Sequence, residues 1–131
     1  MGLTQKRAIA QLQEETLPKY QAELDAAVGA HIELAPLWES YADQDASVIE
    51  RHLPNYGLAE VVKGIALVCK DELGKSAVQE AVTKVELRYP QQGQENVLAL
   101  EGKVLTILLG DPGRTGYWPG DRIAQFLEKK L

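Results

Sequence analysis

Residues 104–109 (VLTILL) say more about the fold of this chain than any other part of its sequence. Five of the six side chains are apolar, and in a β-strand they would point to both faces of a sheet. A strand with one face in solvent alternates apolar and polar residues instead. The run therefore predicts an interior strand with both faces covered.

Other segments alternate apolar and polar residues in the manner of half-buried strands. We predict an antiparallel sheet of about four strands, packed with about five helices in an α+β fold. A single domain should cover residues 1–131. The predicted strands are 31–35, 84–89, 96–100 and 103–109.

The last two strands are expected to form a hairpin that turns at residues 101–102. A two-residue turn there places Leu98 opposite Leu105 and Ala99 opposite Val104. The sheet face that holds Ala99 and Val104 needs the terminal helices or a second subunit to cover it, and we favour a homodimer. This face also carries Val97, Thr106 and Leu108.

Helical periodicity and capping residues place helices between the strands. Pro18 either kinks one long helix or separates two joined ones, and Pro54 is expected to end a helix. Gly64 costs about 1 kcal/mol relative to alanine inside the most apolar helix, so we expect close backbone packing there. Gly29 and Gly74 are expected to cap helix C-termini. The predicted helices are 4–16, 17–28, 42–53, 58–73, 76–83 and 121–131.

The chain carries a net charge of −5 and has no basic cluster with interleaved aromatic residues. A nucleic-acid binder needs a basic stripe to displace counterions, so we expect no nucleic-acid partner. Residues 1–60 hold four basic and ten acidic side chains. This acidic excess is either a solvated helix face or a patch that attracts a basic protein partner. The patch would consist of Glu39, Asp43, Asp45 and Glu50.

The Gly/Pro-rich loop at residues 110–120 is the best candidate for a ligand site. Glycines let the backbone approach a ligand closely, Arg114 could hold an anion, and Asp111 could orient it. Tyr117 and Trp118 would offer a flat apolar contact. The alternative is a plain connection in which Trp118 packs into the core and the loop only leads into the last helix.

The sequence has no catalytic or metal-binding motif that we recognise. Cys69 lies in an apolar segment, where a thiol is usually a small buried hydrophobe. His31 and His52 lack the spacing of metal ligands. We therefore expect no catalytic residue, no metal and no cofactor, and we favour a non-enzymatic protein over an enzyme. The N-terminus lacks a secretory core and no run is long enough to cross a membrane, so we expect a cytoplasmic protein without a membrane partner.

Residues 65–75 (IALVCKDELGK), the Ala/Val helix after them and the run EGKVLTI at 101–107 resemble small bacterial proteins of unassigned function. This resemblance implies no activity and no functional residue. The residues themselves lead us to predict a non-catalytic protein-interaction module, which we favour as a homodimer. The alternative is an enzyme or a binder of small anionic ligands with its site at the 110–120 loop.

Overall fold

The computed structural model describes residues 2–91, 94, 97–108 and 117–131. The mixed helix–strand fold and its four-stranded sheet are confirmed. The helices are α1 (Leu3–Gln11), α2 (Leu17–Val28), α3 (Ala59–Val68), α4 (Glu72–Ala81) and α5 (Gly120–Lys130). The strands are β1 (Glu33–Pro36), β2 (Lys84–Arg88), β3 (Leu98–Glu101) and β4 (Val104–Leu108). Shorter elements are the first π segment (Leu12–Thr16), the second π segment (Val48–Leu58) and a 3-10 turn (Trp38–Tyr41).

The sheet is mixed, so the predicted antiparallel sheet is wrong. Its strand order is β1-β2-β4-β3, and β1–β2 and β2–β4 are parallel pairs. Only β3 and β4 run antiparallel. The helical residues between β1 and β2 supply the long crossover that parallel strands require. Because β3 lies beyond β4 at the edge, β4 returns between β3 and β2 and runs parallel to β2.

β4 is an interior strand, as residues 104–109 predict. Leu105 and Ile107 are 0% exposed and belong to the core. The β4 side chains that alternate with them point to the opposite face and are only half-buried. The prediction that both faces of this strand are covered is therefore wrong for its described residues. Leu109 lies outside the described residues.

The hairpin between β3 and β4 turns at residues 102–103, one position later than predicted. These two residues have φ values of 56° and 66°, the pattern of a type I′ turn, whose twist matches that of the flanking strands. Leu100 consequently lies opposite Leu105, and Ala99 lies opposite Thr106. Both predicted pairings are wrong, because the glycine occupies the first turn position rather than the second.

Two prolines are accommodated by π-helical turns. Helical turns continue without a break through α1, the first π segment and α2, with Pro18 near the start of α2. One long helix, rather than two separate ones, is thus observed. The helix predicted to end at Pro54 instead continues through the second π segment into α3. Proline lacks the amide hydrogen that an α-helix uses, and the wider π turn tolerates both the missing bond and the ring.

The helix predicted for residues 58–73 is divided before α4. The Oδ1 of Asp71 accepts a hydrogen bond from the Gly74 amide at 2.8 Å, which makes Asp71 the N-cap of α4. Gly74 therefore lies inside α4, and its predicted role as a C-cap is wrong. Leu73, expected on the apolar face, is 84% exposed for the same reason. Gly29 does end α2, with a φ of 76°, as predicted.

The core lies between the helices and one face of the sheet. At its centre α3 packs against α5, where the close approach predicted at Gly64 is confirmed. A Cβ atom on Gly64 would lie 2.7 Å from the Gly120 carbonyl oxygen and 2.8 Å from the Ile123 Cβ. The glycine thus lets the start of α5 lie directly on the backbone of α3.

Candidate functional site

The structure describes only the last residues of the loop proposed as a ligand site. Asp111 and Arg114 lie outside the described residues. The Tyr117 ring packs edge-to-face against Tyr56, with ring centroids 4.9 Å apart. Trp118 is half-buried against the core, as the plain-connection alternative requires. The two aromatic side chains at the end of the loop thus both pack against other residues of the chain.

Tyr56 also connects Tyr117 to a histidine. The rings of His52 and Tyr56 lie 6.1 Å apart, and both residues belong to the second π segment. We name His52, Tyr56 and Tyr117 the aromatic cluster. The Nδ1 atom of His52 is buried and has no hydrogen-bond partner among the described residues. The cluster was not predicted from the sequence. The signal that could have indicated it is Pro54, which lies between His52 and Tyr56 in a π turn, a feature common at functional sites.

The loop leads into α5 at a fixed point on α3. The Gly120 amide donates a hydrogen bond to Oε1 of Glu60 at 3.1 Å. A carboxylate suits this position, because the first amides of a helix have no partner within the helix and carry partial positive charge. Glu60 and the close approach at Gly64 therefore determine where the loop ends.

The four acidic residues predicted as a helix face do not share one helix. Glu39 lies in the 3-10 turn, Asp43 and Asp45 in the segment after it, and Glu50 in the second π segment. All four are exposed, and none forms an ion pair within the part of the chain that the structure describes. The Asp45 carboxylate accepts a hydrogen bond from the Ser47 hydroxyl at 2.7 Å.

A groove of about 270 Å³ separates the two π segments. Leu12 and Thr16 line it from the first segment, and Glu50 and Arg51 line it from the second. Both charged side chains are exposed, so water reaches them without passing through the protein. The groove is thus an open polar surface rather than an enclosed site.

Two side chains of α2 close the outer edge of β1. Oε1 of Gln21 accepts from the Leu34 amide at 2.8 Å, and Nε2 of Gln21 donates to the Ile32 carbonyl at 2.6 Å. Oδ1 of Asp25 accepts from the Ile32 amide at 3.1 Å. Pro36, the next residue that faces outward, has no amide hydrogen. The edge therefore offers no free amide to another strand.

Asp25 is held in this position by a histidine as well. Nδ1 of His31 lies 2.8 Å from Oδ2 of Asp25. Burial favours the neutral acid, but the hydrogen bonds from His31, from the Ile32 amide and from Gln21 outweigh it, so the pKa of Asp25 is lowered. From the sequence, His31 was not expected to bind a metal, because it lacks the spacing of a metal ligand. In the structure it supports the carboxylate that closes β1.

At the opposite edge of the sheet, formed by β3, the described residues provide no such protection. In an antiparallel hairpin with a two-residue turn, every second residue directs its amide and carbonyl to the partner strand. The Leu108 amide donates to the Val97 carbonyl at 3.0 Å, so Val97 faces β4 and Leu98 and Leu100 face away. Within the described residues, no side chain donates to or accepts from the outward backbone groups of Leu98 and Leu100. We name these groups the free β3 edge.

The outer face of the sheet differs from one strand to the next. On β2, Glu86 forms ion pairs with Lys84 and Arg88, as expected for a surface in contact with water. On the hairpin, by contrast, the outward side chains are mostly apolar and half-buried or exposed. The apolar ones are Val97, Ala99, Val104 and Leu108, and Thr106 and the exposed Glu101 complete the set. The apolar part of the outer face thus adjoins the free β3 edge.

No protein-family model, curated protein or solved structure matches this chain. In the described ranges, each helix is too short or too polar to cross a lipid bilayer. The same residues contain no group of three or more His, Cys, Asp or Glu side chains arranged to hold a metal ion. The single cysteine, Cys69, is buried, and its burial raises the pKa of the thiol.

Proposed function

We propose that this chain is a non-catalytic, cytoplasmic protein-interaction module that binds its partner along the free β3 edge. The observation that carries the proposal is the difference between the two edges of the sheet. At the β1 edge, Gln21 and Asp25 bind the outward amides of Ile32 and Leu34 and the carbonyl of Ile32. The outward amides and carbonyls of Leu98 and Leu100 have no partner among the described residues. An exposed edge with unpaired donors and acceptors is a template for another strand.

A bound strand would extend the sheet and form main-chain hydrogen bonds with Leu98 and Leu100. Its alternate side chains would lie beside Val97 and Ala99 on the outer face, which supplies an apolar contact next to the polar edge. The net charge of −5 favours a partner strand with basic flanking residues.

Selection from a displayed library of random extended peptides tests this proposal. Selected peptides should bind the unmodified chain and lose binding to the Leu98→Pro variant, which lacks the outward amide. Proline is tolerated at the start of an edge strand when its nitrogen faces away from the sheet. Leu98→Ala is the matched control, because it removes the side chain but keeps the amide, and it should retain binding. Equal binding to both variants would contradict the proposal.

A small anionic ligand at the 110–120 loop is the second candidate function, and the aromatic cluster favours it. Tyr117 lies beside Tyr56, and the neighbouring His52 has a buried ring nitrogen without a described partner. In this hypothesis Arg114 holds the anion and Asp111 orients it. In a thermal-shift screen of anionic metabolites, a metabolite that binds the loop should then raise the melting temperature of the unmodified chain. The Arg114→Ala variant should show no such rise. A rise that persists in Arg114→Ala would remove the arginine from the hypothesis.

A further inference from the structure

We infer that the strand bound at the free β3 edge is β3 of a second copy of this chain, paired antiparallel about a twofold axis at Ala99. The inference rests on the proposed function and names its partner. It turns two four-stranded sheets into one continuous sheet of eight strands. The contact is isologous, because each copy contributes the same residues.

The backbone groups of β3 fit this pairing. With the axis at Ala99, Leu98 of each copy lies opposite Leu100 of the other, and the outward amide and carbonyl of both residues are used. Each copy therefore donates two hydrogen bonds and accepts two. An axis at Leu100 would pair Leu100 with itself and place Leu98 opposite Gly102, whose φ of 56° belongs to the turn. When only pairs between described residues are counted, the axis at Ala99 uses the outward groups of both Leu98 and Leu100, whereas an axis at Leu98 or at Leu100 uses those of one of them.

The side chains also fit the same axis. The two copies of Ala99 would form a non-hydrogen-bonded pair, in which the Cα atoms approach to about 4.5 Å and small side chains pack well. Val97 of each copy would lie opposite Glu101 of the other. No two like charges face each other, although Glu101 is the charged residue of β3 and the chain has a net charge of −5.

Of the devices that keep edge strands apart, β3 has a short length and the charge of Glu101, but it lacks others. Residues 98–101 contain no proline and no lysine, and their pairing with β4 has no bulge. β1, at the other edge, has both Pro36 and the bonds from Gln21. Two short strands bury less surface than the roughly 1,200 Å² of a stable interface. The pairing should therefore be reversible and depend on protein concentration.

A cysteine cross-link tests the register. In a Cys69→Ser background, Ala99→Cys should form a disulfide with its symmetry mate under oxidised glutathione, because the expected Cα separation suits a disulfide. The product should have twice the 14.4 kDa mass of the chain. Ala35→Cys is the matched control. Ala35 lies in the same row across the sheet as Ala99, since Glu86 and Thr106 connect the two, but it belongs to β1 at the opposite, protected edge. The Ala35→Cys variant should therefore cross-link at least tenfold more slowly.

Sedimentation equilibrium provides the second measurement. The unmodified chain and Leu98→Ala should dimerise as concentration rises, and Leu98→Pro should stay monomeric. Equal cross-linking of the two cysteine variants, or a monomer at every concentration, would overturn the inference. If peptides nevertheless bind the free β3 edge and Leu98→Pro prevents their binding, the partner is another protein and the proposed function survives. If neither peptides nor a second copy bind there, both the inference and the proposed function fail.

Discussion

Replacing Gly64 with alanine should destabilise the protein, although alanine favours a helix. The exchange gains about 1 kcal/mol in helix propensity. The new Cβ would lie 2.7 Å from the Gly120 carbonyl oxygen and 2.8 Å from the Ile123 Cβ. These atoms belong to the backbone and to the base of a buried side chain, so they cannot rotate away. Overpacking of this kind costs about 1–3 kcal/mol, and the separation of α3 and α5 needed here favours the upper end.

The net loss should be about 1–2 kcal/mol, which lowers the melting temperature of a chain of this size by about 4–8 °C. Urea denaturation and a thermal scan would measure both quantities. Ala22→Gly, on the exposed side of α2, is the control for helix propensity, and it should lower stability by about 1 kcal/mol. If Gly64→Ala were instead stabilising by a similar amount, the close packing of α3 on α5 would be refuted.

Three further perturbations test the closed edge and the helix surface. Gln21→Ala should lower the free energy of unfolding by about 1–3 kcal/mol, because it leaves the Leu34 amide without its acceptor; an unchanged urea midpoint would contradict this. The lowered pKa of Asp25 stabilises the fold above the pKa of the unfolded carboxyl, about 3.9, and this contribution is lost as pH falls through the folded value. The stability difference between the unmodified chain and Asp25→Asn should thus be largest near neutral pH and shrink below about pH 4 in thermal scans; a constant difference would dismiss the carboxylate as its source. Leu73→Lys should alter neither stability nor self-association, since Leu73 is 84% exposed and lies away from β3, and a loss of dimer in this variant would point to the wrong surface.

Features that depend on residues close in sequence could be predicted from the sequence. The apolar run in β4 indicated an interior strand, and Gly64 within an apolar helix indicated close packing. Both inferences need only burial patterns and glycine chemistry. Asp71 shows where such reasoning failed, because an N-cap competed with Gly74 as a C-cap and the carboxylate hydrogen bond won.

Features that depend on distant contacts could not be predicted. Strand direction follows from the order in which strands join the sheet, and no local pattern records that β3 lies outside β4. Gln21 resembles any polar residue on a solvated helix face until β1 is placed beside it. The aromatic cluster likewise joins residues 56 and 117 across the fold. The ligand loop was predicted from composition, which gives no information on the residues that surround it.

Amide hydrogen exchange at the two sheet edges tests the central claim most directly. The amides of Ile32 and Leu34 should exchange slowly at every protein concentration, because Asp25 and Gln21 hold them. The amides of Leu98 and Leu100 should exchange rapidly in dilute protein and become protected as concentration rises. Slow exchange of these two amides in dilute protein, or rapid exchange at all concentrations, would contradict the account.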